Sequence, residues 1–250
     1  MSEIQEAKKK EKLCIVGCSD SKSETPFHLK DEFEFWGVNN LFLTMPGPWS
    51  RWFEIHQITC EGGKWLRRGK EDFRGQSVPD YLTQLGKLPF PVYCQQPNPF
   101  MPNAVAFPFK RIIDEFGTYF TNTISWEIAF ALQEGFKEIR VYGVDLAVDT
   151  EYHHQRPSAE YFMGIAVGRG VKLWLPDTCD LLKTRFMYGY EEAKELPFRA
   201  KIESMKKSMQ KRANQAQAQM AHHEKQVQQY IGAMSAVNEI DKIWKNVTGG

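Results

Sequence analysis

The sequence predicts an α/β fold of the Rossmann type, with a mostly parallel sheet, flanking helices and a long C-terminal helical arm. Short apolar runs alternate with segments of helical periodicity, which favours βα units and a parallel sheet. Residues 121–175 alone hold a predicted helix, strand, loop, helix and strand. After residue 190 the chain is rich in Ala, Gln, Lys and Met, which predicts continuous helix. We therefore expect a flexible lead-in at residues 1–11, an α/β domain at 12–190 and an arm at 191–250.

Composition limits the classes of protein to which this chain can belong. A chain of 250 residues can enclose one such domain, and a net charge of +1 argues against a generally basic nucleic-acid binder. The polar N-terminus lacks a signal-peptide apolar segment, and no apolar run approaches the ~18 residues of a membrane span. We expect a soluble, cytoplasmic protein that binds no membrane. The five cysteines lack zinc-site spacing and are expected to be buried free thiols.

Polar residues follow the first two predicted strands, at residues 12–17 and 33–38. The turn at residues 17–21 can present backbone N–H groups and hydroxyls to a phosphate. It is neither G-x-G-x-x-G nor a P-loop, so an ordinary βα turn is the alternative. Asn39 and Asn40 follow the second strand, where their amides would suit a nucleobase or ribose; a turn-forming pair is the alternative.

The next segment predicts a third strand and then irregular structure. Residues 51–57 alternate in polarity, which places Glu54 and His56 on one face. We interpret this pair as structural, since such pairs more often are. Residues 58–80 are polar, and their basic run is typical of a solvated surface. Further expected elements are a short helix at 81–85, a strand at 92–95, a proline-rich loop at 96–108 and a helix at 109–116. The tryptophans of the first third fit either a thick core or a stacking platform.

The central unit carries the strongest pattern. Residues 121–135 predict an amphipathic helix that ends at Gly135, and residues 139–144 predict a buried strand. Asp145 follows at the carboxyl end of this strand, where open α/β sheets bind their ligands. A helix at 158–169, with Ser158 as its N-cap, and a strand at 171–175 complete the unit. The loop between the strand and the second helix holds Asp145, Asp149, Glu151, Tyr152, His153, His154, Gln155 and Arg156.

We expect the chemistry of the protein in this loop. Asp145 and Asp149 are too far apart for a D-x-D metal motif, so no metal site is predicted there.

This central unit resembles two related families. The shared pattern is a Gly/Ser turn after the first strand, an Asn after the second, a helix beginning Thr/Ser, and G-F-K-E-I-x-x-x-G-V-D at residues 135–145. One family comprises the bacterial lipooligosaccharide sialyltransferases that use a CMP-linked sugar. The other is the MptE-like group, which includes 6-hydroxymethylpterin diphosphokinases. The resemblance covers residues 12–185, and the whole chain also resembles uncharacterised bacteriophage and prophage proteins, which would place it in the cytoplasm of a bacterial host.

The resemblance implies a pocket for a nucleotide or nucleotide sugar. Gly17, Ser19 and Asn39 would line it, and Thr121 and Ser125 would lie near the sugar or phosphates. With the neighbouring polar residues included, the expected ligand-binding set is Gly17, Ser19, Ser21, Asn39, Asn40, Thr121, Ser125 and Asp145. No firm cofactor and no metal ligand are predicted.

The resemblance also bears on catalysis. The sialyltransferases carry a catalytic histidine just before the second helix, where this chain has Gln-Arg-Pro at residues 155–157. His153 or His154 would then act as the base, with Arg156 as a phosphate ligand and Tyr152 bonding the leaving phosphate, since such transfer needs a base and charge stabilisation. His56 is the competing candidate for the base, because Glu54 on the same strand could orient its ring. We expect glycosyl transfer from a nucleotide sugar. Diphosphate transfer, nucleotide binding without catalysis, and a structural role are the alternatives.

The arm predicts a long helix or helical hairpin with a soft apolar seam. A heptad series consists of Ile202, Met209, Ala216, His223, Tyr230, Val237 and Trp244, with Ala213, Met220, Val227 and Met234 four residues after members of the series. We expect this seam to mediate homo-oligomerisation. From Phe198 onward nine Lys and Arg residues stand against four Asp and Glu, so nucleic-acid contact is an alternative to a solvated helix face.

Overall fold

Seven parallel strands form one sheet in the computed structural model, which describes residues 10–146, 151–184, 188–189 and 196–248. The strands of the chain are β1 (Lys12–Val16), β2 (Phe33–Val38), β3 (Arg51–Glu54), β4 (Ile58–Glu61), β5 (Lys64–Arg67), β6 (Asp72–Phe73), β7 (Gln76–Ser77), β8 (Val92–Cys94), β9 (Ala104–Ala106), β10 (Glu138–Tyr142) and β11 (Lys172–Trp174). The sheet order is β11-β10-β1-β2-β3-β8-β9, while β4–β5 and β6–β7 form two antiparallel hairpins. The predicted Rossmann-like α/β architecture is confirmed.

Helices cover both faces of this sheet. The helices are α1 (Val78–Gly86), α2 (Phe109–Phe116), α3 (Thr123–Glu134), α4 (Arg156–Gly168) and α5 (Leu196–Thr248). Leu13 and Ile15 of β1 are buried in a layer with α2, α3 and α4. Cys14 and Val16 are buried in the opposite layer with α1. This alternation gives the sheet a core on each side.

The order of the strands reverses at β1. The chain runs from β1 to β2 and β3 on one side, whereas β10 and β11 lie on the other. In the parallel register, Lys12 lies opposite Glu138 and Val16 lies opposite Tyr142. The carboxyl ends of β1 and β10 are therefore adjacent, and this is the topological switch point at which open α/β sheets bind ligands.

The two central helices differ from prediction at their N-termini. Asn122 caps α3, because its Oδ1 accepts from the Ser125 amide at 2.8 Å, and Gly135 ends the helix in the left-handed conformation. The prediction of Ser158 as the N-cap of α4 is wrong, because α4 begins at Arg156 and Ser158 lies inside its first turn. Its buried hydroxyl instead donates to the Tyr119 carbonyl at 2.8 Å.

Two segments predicted to be irregular contain strands. Residues 58–67 and 72–77 form the two hairpins, and residues 78–80 are the start of α1. The first hairpin turns at Gly62 and Gly63, both with positive φ, and this glycine pair is a turn signal that the overall polarity of the segment obscured. The loop at 96–108 contains β9, which pairs in parallel with β8. Three small residues are too few to show a period, so this edge strand left no sequence signal.

The cysteines and tryptophans only partly match expectation. Cys14, Cys94 and Cys179 are buried free thiols, but Cys18 and Cys60 are exposed, so the expectation of burial was wrong for these two. Trp36 and Trp52 are fully buried in opposite core layers. These two tryptophans therefore belong to a thick aromatic core.

The chain divides into two units, residues 1–184 and residues 185–250. Within the second unit α5 is one continuous helix and not a hairpin. At 1.5 Å per residue its 53 residues extend about 80 Å. Its exposed large apolar side chains are Met209, Met220, Val227, Tyr230, Ile231, Met234, Val237, Ile240, Ile243 and Trp244. Among the described residues, no helix has the length and hydropathy to cross a membrane.

Candidate functional site

Two glycines bring the ends of β1 and β10 into direct backbone contact. The Gly17 amide donates to the Tyr142 carbonyl at 2.8 Å, and the Ser19 amide donates to the Gly143 carbonyl at 2.8 Å. A Cβ on Gly17 would lie 2.4 Å from Gly143 O, and a Cβ on Gly143 would lie 2.4 Å from Gly17 O. Gly143 also has a φ of +63°. Only glycine fits this close approach at either position.

A hydrogen-bonded pair supports these turns from behind. Ser21 is buried, accepts from the Gly143 amide at 2.8 Å and donates to Asp145 Oδ1 at 2.6 Å. Burial raises the pKa of the Asp145 carboxyl above its ordinary value, although the hydrogen bond from Ser21 opposes this shift. Neither side chain lines the cleft described next. Ser21 and Asp145 therefore fix the two turns relative to each other.

A cleft of about 430 Å³ opens at this edge of the sheet. Its lining includes Gly17, Ser19, Asn39 and Thr121 from the predicted ligand-binding set. Asn40, Ser21, Ser125 and Asp145 from the same set do not line it. The cleft thus collects the turns after β1, β2 and β10, which contribute side chains such as Ser19, and the N-terminus of α3, where a helix presents backbone N–H groups.

The N-terminus of α3 is held in place by a network of polar side chains. Besides capping α3, Asn122 donates through Nδ2 to the Gln155 carbonyl at 2.7 Å, and both residues line the cleft. The buried Ser125 Oγ donates to Asn122 Oδ1 at 3.1 Å and lies 2.8 Å from Ser158 Oγ. Ser125 therefore supports the wall of the cleft from behind, whereas Thr121 lies on its surface.

Asn39 is held rigidly in the lining of the cleft. Its backbone has a φ of +51°, and its amide and carbonyl groups bond to the Phe53 carbonyl and the Trp52 indole N–H at 3.0 and 2.9 Å. Its side-chain Oδ1 is buried without a protein partner, so the hydration that this acceptor loses on folding is not compensated within the protein.

An aromatic wall faces the cleft beside α3. The rings of Phe120 and Trp126, both in the lining, are stacked with centroids 3.6 Å apart and planes inclined by 9°. Phe120 also stacks on Phe162 of α4, at 4.4 Å. Because Trp126 and Phe162 cover the two faces of Phe120, this stack is a rigid apolar wall that a base or a sugar can pack against.

A histidine and a glutamate lie at the end of β3. His56 lines the cleft, and its Nδ1 is 2.7 Å from Oε1 of Glu54, which is 0% exposed. Glu54 also accepts from Arg67 Nη2 at 3.0 Å and from the Tyr81 hydroxyl. Burial opposes ionisation of Glu54, but the hydrogen bond with His56 and the charge of Arg67 lower the pKa of the carboxyl below its ordinary value. Arg67 Nη2, which can only donate, also lies 2.8 Å from Nδ1, so the tautomer of His56 decides which of the two partners Nδ1 bonds. In the tautomer in which Nδ1 donates to Glu54, Nε2 carries the free electron pair that a general base requires.

Among the described residues between β10 and α4, Gly143, Val144, Leu146 and Gln155 line the cleft, and His153 and His154 do not. His153 and His154 occupy a π-helical turn that leads into α4, and both are exposed. Arg156 donates to Glu160 at 2.8 Å and to the carbonyls of Asp180 and Lys183 at 2.9 and 3.2 Å. These contacts connect α4 to the segment that follows β11. The side chain of Tyr152 and all of Asp149 lie outside the described residues.

Metal ligands do not gather in the described part of the chain. No group of three or more His, Cys, Asp or Glu side chains there could hold an ion. The polar groups in the cleft are instead amides, hydroxyls, an imidazole and one guanidinium, that of Arg68. These are groups that bind organic anions and rings.

Solved structures of a bacterial sialyltransferase are similar to this chain. They are the Campylobacter jejuni enzyme CstII in complex with the substrate analogue CMP-3FNeuAc and with cytidine-5′-monophosphate, with TM-scores of 0.44 and 0.43 and 15% sequence identity in each case. The alignments cover 66% of this chain and 80% and 79% of the other chains. No family model and no curated protein matches the sequence.

Sequence reasoning gave low weight to two of the residues in the cleft. The alternation at residues 51–57 placed Glu54 and His56 on one face, but it could not show that this face meets the cleft. Arg67 and Arg68 belong to a basic run expected to be solvated. That expectation is wrong for Arg67, which is 7% exposed and paired with Glu54, while Arg68 lines the cleft. The glycine pair of the first hairpin was the available signal that this run has a defined structure.

Proposed function

We propose that the cleft binds a nucleotide sugar and that the protein transfers the sugar to an acceptor hydroxyl, with His56 as the general base. The observation that carries this proposal is the His56–Glu54 pair, which opens into a cleft at the switch point of a parallel sheet. A base oriented by a buried carboxylate is more than a site that only binds a nucleotide needs.

Nucleotide binding is supported by the other walls of the cleft. The N-terminus of α3 and the hydroxyls of Ser19 and Thr121 in the lining suit phosphate oxygens. The stacked Phe120 and Trp126 rings give the cleft an apolar wall for a base or sugar.

The transfer step needs one base and one leaving group. The acceptor oxygen forms a bond to the anomeric carbon as the bond from that carbon to the donor phosphate oxygen breaks. The phosphate leaves with the electron pair, and the acceptor proton passes to Nε2 of His56. Glu54 then accepts from Nδ1 at 2.7 Å and stabilises the imidazolium against the charge of Arg67, whose Nη2 lies 2.8 Å from the same nitrogen. His153 and His154 are the competing candidates for this role from the sequence.

The test is to screen nucleotides and nucleotide sugars for thermal stabilisation and then to follow nucleotide release from the best donor. His56→Ala is expected to lower turnover by roughly 10²- to 10⁴-fold, the contribution of a general base, with a smaller change in donor affinity. His153→Ala and His154→Ala are the matched controls and are expected to retain turnover. Loss of turnover in either control, with His56→Ala active, would return the base to the loop before α4. If the native protein binds a nucleotide sugar tightly but produces no free nucleotide from it, the protein is a binding protein and not a transferase.

We also propose that α5 mediates self-association between copies of this chain. It exposes ten large apolar side chains in the part of the helix that the structure describes, and several of them recur at heptad spacing. Residues 213–238 carry only Glu224 and Lys225 as charged side chains, so little charge repulsion opposes a copy laid along the same face. Burial of such a seam on a second copy is the physical basis of coiled coils.

A further inference from the structure

The hairpin β4–β5 carries two adjacent arginines in very different environments. Arg67 is buried, its guanidinium is paired with Glu54 and lies 3.9 Å from the centre of the Phe73 ring. Its charge is therefore compensated within the protein. Arg68 is exposed and lines the cleft.

The backbone holds Arg68 at the edge of the cleft. Its amide donates to the Gln57 carbonyl at 2.9 Å, which ties the end of the hairpin to the segment just after His56. Its φ of +52° is the left-handed conformation, which is uncommon for a residue with a side chain. The buried Arg67–Glu54 pair fixes the preceding residue to β3. The hairpin therefore places Arg68 and His56 at the same cleft through a shared set of contacts.

The charge of Arg68 is not balanced by the walls of the cleft. Among the described residues in the lining, Arg68 is the one Lys or Arg, and no Asp or Glu is present. This is not a consequence of overall composition, because residues 1–184 contain 24 acidic and 21 basic side chains. Glu54 lies behind His56, but Arg67 already compensates its charge. A cleft whose described lining presents one guanidinium and no carboxylate, in a unit of net negative charge, favours anions.

We propose that Arg68 binds the phosphate of the nucleotide ligand and is the main cationic contact for that group. The inference rests on the nucleotide-binding cleft proposed above and adds the residue that distinguishes a nucleotide from a nucleoside. A guanidinium can bond two phosphate oxygens at once, which a lysine cannot do with the same geometry. The end of the hairpin, where Arg68 lies, is then part of the nucleotide-binding site.

The experiment compares affinities for the four common nucleosides and their 5′-monophosphates by calorimetric titration. The native protein is expected to bind at least one monophosphate more tightly than its nucleoside. Arg68→Gln is expected to lower the affinity for that monophosphate by roughly 10- to 100-fold, the range for a charged hydrogen bond. Its affinity for the nucleoside is expected to stay within about twofold of native. Arg68→Lys is expected to recover part of the loss.

The matched control is Lys70→Gln on the same hairpin. Lys70 is exposed and does not line the cleft, so this variant removes the same charge without removing the contact. Its monophosphate affinity is expected to stay close to native. Equal losses in both variants, or no loss in Arg68→Gln, would overturn the role of Arg68 while leaving nucleotide binding intact. Absence of binding to every monophosphate by the native protein would overturn the proposed function together with this inference. Melting curves of each variant establish that it is folded.

Discussion

At the scale of single residues, Glu127 on α3 is the least compensated group that the structure describes. It is 0% exposed, and neither carboxylate oxygen has a hydrogen-bond partner. Burial alone raises the pKa of this carboxyl well above its ordinary value. Glu127 is therefore expected to remain protonated in the folded protein at pH values where the unfolded chain has lost this proton.

This difference makes stability depend on pH. Above the ordinary carboxyl pKa of about 4.5, ionisation of Glu127 stabilises the unfolded chain, whereas the folded protein keeps this carboxyl protonated. The free energy of unfolding therefore falls as pH rises towards the folded pKa. Glu127→Gln removes the ionisable carboxyl. Between pH 5 and 8 it should therefore reduce the slope of unfolding free energy against pH by about the contribution of one titrating group. Melting temperature measured across this range checks it. Glu134→Gln, on the same helix but with its carboxylate paired to Arg51, should leave the decline in place.

At the scale of elements, the hairpin β4–β5 depends on one buried ion pair. Glu54 of β3 binds Arg67 of the hairpin and Tyr81 of α1, so three elements meet at a single carboxylate. Removing one partner of a buried pair leaves the other charge uncompensated, whereas replacing both by apolar groups costs less. The stability of the hairpin should therefore depend on the pair and not on either residue alone.

Glu54→Gln is expected to lower the free energy of unfolding by roughly 3–5 kcal/mol, and Glu54→Leu with Arg67→Met by less. Urea denaturation measures both. The lowered pKa of Glu54 gives the sign of the pH effect: its contribution is present above the ordinary carboxyl pKa and is lost as pH falls through the lower folded value. Native stability should thus decline in acid by this route. A double variant no more stable than Glu54→Gln would contradict the dependence of the hairpin on the pair.

At the scale of the whole molecule, the proposed self-association of α5 predicts a molar mass. Light scattering of the full chain should give a multiple of 29.0 kDa. Asp substitutions at Met234 and Val237 place charge in the apolar seam and should return the mass towards that of one chain. Gln229→Asp, away from the seam, is the control and should not. A native protein that already gives 29.0 kDa at high concentration would contradict the proposal.

The elements that could be predicted from the sequence are those with a periodic apolar pattern or a residue that marks their end. The helix ending at Gly135, the strand before Asp145 and the helix at 109–116 were readable because each combines an apolar pattern with a clear boundary. β9 was not, because an edge strand of three residues has no period. The site was harder for another reason. His56 and Arg68 reach the cleft through tertiary contacts with Glu54 and Gln57, and the sequence gives these positions no separate signal.

The position of β1 in the sheet has a consequence for biosynthesis. β1 leaves the ribosome long before β10, which is one of its two neighbours in the sheet, with Lys12 opposite Glu138. Until residue 142 has been synthesised, a nascent chain can pair β1 with β2 but leaves the other edge of β1 open in the middle of the future sheet. Closing so long a loop is slow, and an open apolar edge attracts other strands. The nascent chain therefore passes through a long interval in which one edge of a core strand is available for aggregation.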